Sequence, residues 1–261
     1  MEPEAKRQKT ETPLYVAMHK PIGYVSSTVS QKKGMRTIYE LLEEKNFPKM
    51  GLCGRLDAQT SGIMLFTNDS AMLQALLLPE EQEGEDTTSA DGTGDKVAKE
   101  CVTSIKEDDK NYKWKEYHLT VLASPDRKWG TGVWSEAEKL LIEEMSAPIE
   151  FVTKGVRYRT NPAEVKVLSR FRSEKHAHDS RGPRGQDLGW CVVLSIILRE
   201  GKHHQIRRLA SRSKLRVMSL KRHSFAGGLL TADDPTLKEP GGARHLTEEE
   251  IAELRARTKL V

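Results

Sequence analysis

Residues 79–110 carry eleven Asp or Glu against four Lys, are rich in Gly, Ser and Thr, and contain no aromatic side chain. Such a segment cannot bury enough apolar surface to offset its ordering entropy, so a disordered acidic insertion is expected over about 79–112. The apolar runs on either side of it are expected to share one domain that the insertion interrupts. A second polar stretch, about 169–189, is basic and contains Gly182-Pro183-Arg184-Gly185, and reads as a long mobile loop. Residues 1–12 are polar and aperiodic, a disordered tail that leaves a single domain over 13–258.

Within that domain a strand is expected from Leu14, then a Pro/Gly turn at His19-Lys20-Pro21-Ile22-Gly23 and a β-prone run over 24–29. Ile38, Leu41 and Leu42 recur at helical spacing and place a helix near 36–45. Further strands are expected over 117–122, 163–168, 190–198 and 215–220, and helices over 136–145 and 203–213. Thr247 followed by Glu250 is a capping box that opens a last helix through Ile251 and Leu254. Strands and helices mixed without βαβ alternation indicate an α+β fold on a mixed, largely antiparallel sheet with flanking helices.

The chain of 261 residues is long enough to build a core and position catalytic groups, and its mean hydropathy of −0.60 is that of a protein with a polar surface. No apolar run is long enough to cross a bilayer, and Met1-Glu2-Pro3-Glu4 is unlike a secretory leader, so no membrane association is expected. Acidic residues at 2 and 4 also fit a transit peptide poorly, which favours the cytoplasm over nucleus or organelle. Cys53, Cys101 and Cys191 are odd in number and widely spaced, and read as small buried hydrophobes in a reducing compartment. Residues 199–223 hold nine Arg or Lys against the single Glu200, with His203, His204 and His223 among them. That stripe suits a polyanionic partner or a plain solvated face, and only chemistry can separate the two.

Chemistry enters at Gly51-Leu52-Cys53-Gly54-Arg55-Leu56-Asp57-Ala58-Gln59-Thr60-Ser61-Gly62-Ile63-Met64-Leu65-Phe66-Thr67-Asn68-Asp69. Here a carboxylate stands between a Gly-framed turn and an apolar strand, on a loop held by rigid structure. The segment resembles the signature of RNA pseudouridine synthases of the small-subunit/large-subunit rRNA type, the RsuA-like family. His19-Lys20-Pro21-Ile22-Gly23 is similar to that family's opening block, with His where Asn is usual. Lys115-Glu116-Tyr117, then Glu200-Gly201-Lys202-His203-His204-Gln205-Ile206-Arg207-Arg208-Leu209, then Leu220-Lys221-Arg222 with Gly227, and Leu246-Thr247-Glu248-Glu249-Glu250 follow in family order. The S4-like RNA-binding domain of many members has no room before the first block, and Ser70 stands where Gly is usual.

The resemblance implies a pseudouridine-synthase catalytic domain with a central cleft, no cofactor and no metal, acting on structured RNA. Ribosomal RNA is the expected substrate, transfer RNA the alternative, and the protein is expected to be a monomer. By the same resemblance Asp57 is the nucleophile, Arg207 the cation that keeps it ionised, and Tyr117 the ring that stacks on the extruded uracil. Leu220 forms an apolar wall, Arg55 fills the vacated stack or clamps a phosphate, and Lys20, Lys202, Arg208, Lys221 and Arg222 bind phosphates. His203-His204 offers no companion ligand at metal spacing. Two rival readings remain: a catalytically silent RNA-binding protein of ribosome assembly, and a glycoside hydrolase using Asp57 with a second carboxylate.

Overall fold

The structure, a computed structural model, describes residues 12–29, 34–77, 113–122, 134–153, 155–172 and 190–260. The elements in chain order are β1 (Tyr15–Lys20), α1 (Ile38–Glu44), β2 (Gly51–Leu52), β3 (Ser61–Thr67), α2 (Ser70–Leu77), β4 (Lys115–Leu122), α3 (Trp134–Ser146), β5 (Glu150–Thr153), β6 (Val156–Arg159), β7 (Glu164–Arg172), β8 (Trp190–Leu198), α4 (Gln205–Arg212), β9 (Arg216–Phe225), β10 (Leu230–Thr231), β11 (Ala243–His245) and α5 (Glu248–Thr258). The tail through residue 11, the whole of the acidic insertion and residues 173–189 lie outside the described residues.

One sheet runs in the order β11-β1-β3-β9-β4-β8-β7, with β2 added beside β3 and β10 beside β9. Every pairing is antiparallel except β3 with β9, which touch in parallel at Ser61↔Lys221 and Gly62↔Arg222. This is the expected α+β fold on a mixed, largely antiparallel sheet. The parallel contact joins two halves that are otherwise built from separate stretches of chain.

Side-chain alternation decides what covers each face. In the first half, Val16, Met18, Met64 and Phe66 pack under α1 through Ile38, Leu41 and Leu42, while Tyr15, Ala17, Ile63 and Leu65 pack on the other face with Met72 of α2 and Leu254 of α5. In the second half, Leu119, Val121, Val192, Leu194, Ile196 and Leu220 are covered by Leu141 and Met145 of α3 and by Ile206 and Leu209 of α4. Tyr117 packs against both the α1 cluster and the α3–α4 cluster, so it stands at their seam. Cys53 and Cys191 are buried as expected, and Cys101 falls outside the described residues.

The helix ends follow local chemistry. Thr37 and Glu40 form a capping box at α1, and Thr247 and Glu250 form the expected one at α5. Asp69 Oδ1 accepts from the amides of Ala71 and Met72 at 3.0 and 3.1 Å, which starts α2, an element the hydrophobic pattern does not single out. The run over 24–29 departs from expectation: only Val25 makes a β bridge, to Thr37, because Ser26 turns its hydroxyl to the Leu56 carbonyl instead. The basic loop begins later than expected, since β7 continues through Arg172 against β8. The β5–β6 hairpin also goes unforeseen in the sequence, its strands being only four residues each.

Gly62 makes the parallel joint possible. Its φ is +124°, and a Cβ there would meet the Arg222 carbonyl oxygen at 2.2 Å and the Arg222 amide nitrogen at 2.5 Å. Both contacts are backbone, so nothing can rotate away. Gly62→Ala is expected to lower unfolding free energy by about 3 kcal/mol, combining overpacking with a strained φ, or to prevent folding. Urea denaturation measures this, and a loss below about 0.5 kcal/mol contradicts it.

Candidate active site

The loop between β2 and β3 enters the sheet at this joint, and almost every residue of it is held from outside. The Ser26 hydroxyl donates to the Leu56 carbonyl at 2.7 Å and accepts from the Leu56 amide at 3.2 Å. The Gly23 amide donates to the Ala58 carbonyl at 2.7 Å. Arg207 Nη2 donates to the Gln59 carbonyl at 2.8 Å and to Thr60 Oγ1 at 3.4 Å. Lys20 Nζ donates to the Thr60 carbonyl at 2.8 Å, and the loop closes its own turn from the Thr60 amide to the Asp57 carbonyl at 3.0 Å. Asp57 is the residue whose side chain this leaves presented, 38% exposed.

It opens into a cleft of about 750 Å³ lined by Arg55, Asp57, Tyr117, Lys202, Arg207 and Leu220, together with Ser26–Thr28 and residues 203–206. Six of the ten residues singled out in the sequence therefore converge, from four separate segments. The segment 200–205 owes its shape to Glu200 and Gln205. Gln205 Nε2 donates to Glu200 Oε1 at 2.8 Å, the Lys202 amide donates to Gln205 Oε1 at 3.2 Å, and the Asn161 amide donates to Glu200 Oε1 at 2.7 Å. This locks a left-handed residue, His204, at the start of α4 with φ +55°.

The electrostatics differ from expectation. No Arg207–Asp57 ion pair forms among the described residues, because Arg207 is spent on the loop backbone. The groups that face Asp57 are His204, whose Nε2 is 3.4 Å from Asp57 Oδ1, and the Lys20 ammonium beneath it. Lys20 is wholly buried, and burial pushes its ammonium down to about 8 while the Asp57 charge resists that fall. At neutral pH it remains mostly protonated, a fixed positive charge under the loop.

Four predicted phosphate ligands stand elsewhere. Lys20 and Arg222 are 0% and 1% exposed, so no phosphate can reach them. Arg222 donates from Nε to the Ile63 carbonyl at 2.6 Å and lies over the Phe225 ring; burial lowers its pKa while the adjoining Tyr117 phenol favours its charge. Lys221 follows Leu220 on β9 and so emerges on the opposite face, beside His118. Arg208 turns to the β5–β6 hairpin, with its guanidinium 4.3 Å from the Phe151 ring and Nη2 3.2 Å from Thr153 Oγ1. The sequence reading missed His204. Its signal was its place between Glu200 and Gln205, whose pairing fixes what lies between them.

Comparison with known proteins gives the same picture. A family model described as RNA pseudouridylate synthase matches residues 14–212. The chain is 28% identical over 243 residues to "Ribosomal small subunit pseudouridine synthase A" of Vibrio cholerae, covering 93% of this chain and 74% of that protein. It is 25% identical over 254 residues to "Ribosomal large subunit pseudouridine synthase B" of Bacillus subtilis, covering 94% and 73%. Among solved structures, a crystal structure of a pseudouridylate synthase is similar in fold, with a TM-score of 0.53 and 20% identity over 94% of this chain.

Arg207→Lys keeps the charge but replaces the planar guanidinium, whose Nη2 reaches both Gln59 and Thr60, with an ammonium on a differently shaped, more flexible stem, and His204→Ala removes only the exposed neighbour of Asp57. The first is expected to lower catalytic turnover about tenfold or more through a loosened loop, with melting temperature little changed. Steady-state kinetics beside thermal melting checks this, and wild-type turnover in Arg207→Lys contradicts the bracing role.

Proposed function

The chain belongs to the RNA pseudouridylate synthase family, and from that premise we propose that it isomerises a specific uridine in ribosomal RNA with Asp57 as its nucleophile. The observation that carries this reading is the convergence of Asp57, Tyr117, Arg207 and Leu220 in one cleft. Isomerisation of uridine breaks the bond from N1 to C1′, turns the uracil, and joins C5 to C1′. The C5 proton is lost and N1 gains one, so atoms and electrons balance without an external donor.

Asp57 attacks C1′ or stabilises the cationic sugar as the base departs. The His204 ring stands 3.4 Å from the carboxylate, and the buried Lys20 ammonium places a fixed positive charge beneath it. The carboxylate is solvated while the cleft is empty, so the incoming nucleotide itself must exclude the water. Tyr117 offers a ring face to the uracil and Leu220 an apolar wall, which retain the base while it is detached.

A uridine stacked in a helix cannot reach the cleft, and extruding it costs a few kcal/mol. Arg55 and Lys202 at the cleft rim are placed to recover that through phosphate contacts or by filling the vacated stack. The alternative, a silent RNA-binding protein of ribosome assembly, would leave the braced carboxylate without a purpose.

Asp57→Asn is expected to abolish pseudouridine formation, read by nucleoside mass spectrometry of treated rRNA, while RNA affinity stays within a few-fold. Undiminished product from that variant removes the nucleophile assignment. Lys202→Ala is expected to weaken RNA binding and make its logarithmic salt slope shallower by about one, whereas Lys221→Ala on the other face leaves the slope unchanged. Filter binding over a salt series decides, and the reverse pattern contradicts the assigned binding face.

A further inference from the structure

The face of the sheet opposite the cleft carries a cluster that the isomerisation does not use. Glu116 and His118 lie two apart on β4 and so project together. Across the ladder Glu116 pairs with Ser224 while Tyr117 pairs with Arg222, a one-residue bulge that leaves His223 beside them. Ligand atoms of Glu116, His118 and His223 lie within 4.8 Å of one another, and Asp233, just after β10, approaches from the side.

We propose that Glu116, His118, His223 and Asp233 form a binding site for a divalent transition metal of the zinc class. The distances carry the argument. Four ligands about 2.0–2.1 Å from a tetrahedral zinc are separated from one another by roughly 3.3 Å. His118 Nε2 is 3.4 Å from Glu116 Oε1, and His223 Nε2 is 3.3 Å from Asp233 Oδ2. These two separations are close to the tetrahedron's edge, and the remaining pairs within Glu116, His118 and His223 stay inside 4.8 Å.

The surroundings fit as well. The Ser195 hydroxyl donates to Glu116 Oε1 at 2.6 Å, the kind of outer contact that orients a ligating carboxylate. The imidazoles of His118 and His223 are stacked, with centroids 4.0 Å apart, so both are close enough to share an ion once one ring turns its nitrogen toward the other ligands. Lys221 is the opposing charge nearby, against two carboxylates. Two imidazoles with two carboxylates select zinc, cobalt or nickel over magnesium or calcium.

A bound ion would tie β4 to β9 and to the turn after β10. Tyr117 lies between Glu116 and His118 and points the other way, into the cleft, so the ion would brace the strand that carries it. The pair on β4 lies more than a hundred positions before His223 and Asp233, which is why no spacing motif displays the four together.

Full-length protein stripped with a chelator and titrated with Zn²⁺ in a calorimeter is expected to bind one ion, and Zn²⁺ is expected to raise its melting temperature. Co²⁺ in its place should give the visible absorption of a four-coordinate site. His118→Ala, His223→Ala and Asp233→Asn should each weaken Zn²⁺ binding about tenfold or more. Asp233 is 80% exposed on its side chain, so its variant folds even where a histidine variant does not. A double His203→Asn, His204→Asn variant should bind as wild type does. No binding to the wild type, unchanged affinity in Asp233→Asn, or loss of binding only in the 203/204 double variant overturns the proposal. None of these outcomes bears on Asp57.

Discussion

The close passage of β3 against β9 at Gly62 is the constraint on which the cleft depends. Only a residue without a Cβ can lie against the Arg222 backbone there, and only that approach lets two antiparallel half-sheets become one. The loop carrying Asp57 ends two residues before Gly62, so its exit is fixed by the joint. Its body is fixed by Ser26, Gly23, Arg207 and Lys20, which come from the end of β1, from the segment that follows it and from α4. A reactive group on a loop is ordinarily a mobile group, and here the backbone bonds remove that freedom.

Two buried cations lie behind this arrangement. Lys20 closes the loop from below and Arg222 holds the Ile63 carbonyl of β3 while facing Tyr117. Each satisfies backbone oxygens that the irregular joint leaves without ladder partners, which is how a charge can be tolerated at such depth. Arg222 in the basic stripe and Lys20 in the opening block were both expected to bind phosphates, because a sequence records charge and not depth. Burial is a property of the strand position, and positions 20 and 222 both point inward at the joint.

Much of the fold was legible from local signals. The capping box at Thr247, the period of Ile38, Leu41 and Leu42, and the apolar run of Ile63 to Phe66 each led to the element found there. The β5–β6 hairpin and α2 were not foreseen, the former because its strands of four residues each are too short to display a period. In the site, the resemblance brought Asp57, Tyr117, Arg207 and Leu220 forward, and the cleft brings them together. The partner of each was not legible. Arg207 holds backbone rather than the carboxylate, His204 stands next to Asp57, and Lys221 and Arg208 turn away, since register and helix phase decide these and no motif encodes them.

The account's central claim is geometric: a rigid carboxylate meets the sugar of a nucleotide drawn out of its helix. A crystal structure of Asp57→Asn bound to its RNA measures this most directly. The account predicts C1′ of one unstacked uridine within about 3.5 Å of residue 57 and its base between Tyr117 and Leu220. RNA lying across the sheet with every uridine stacked, or a flipped base on the face that carries His118, would contradict it.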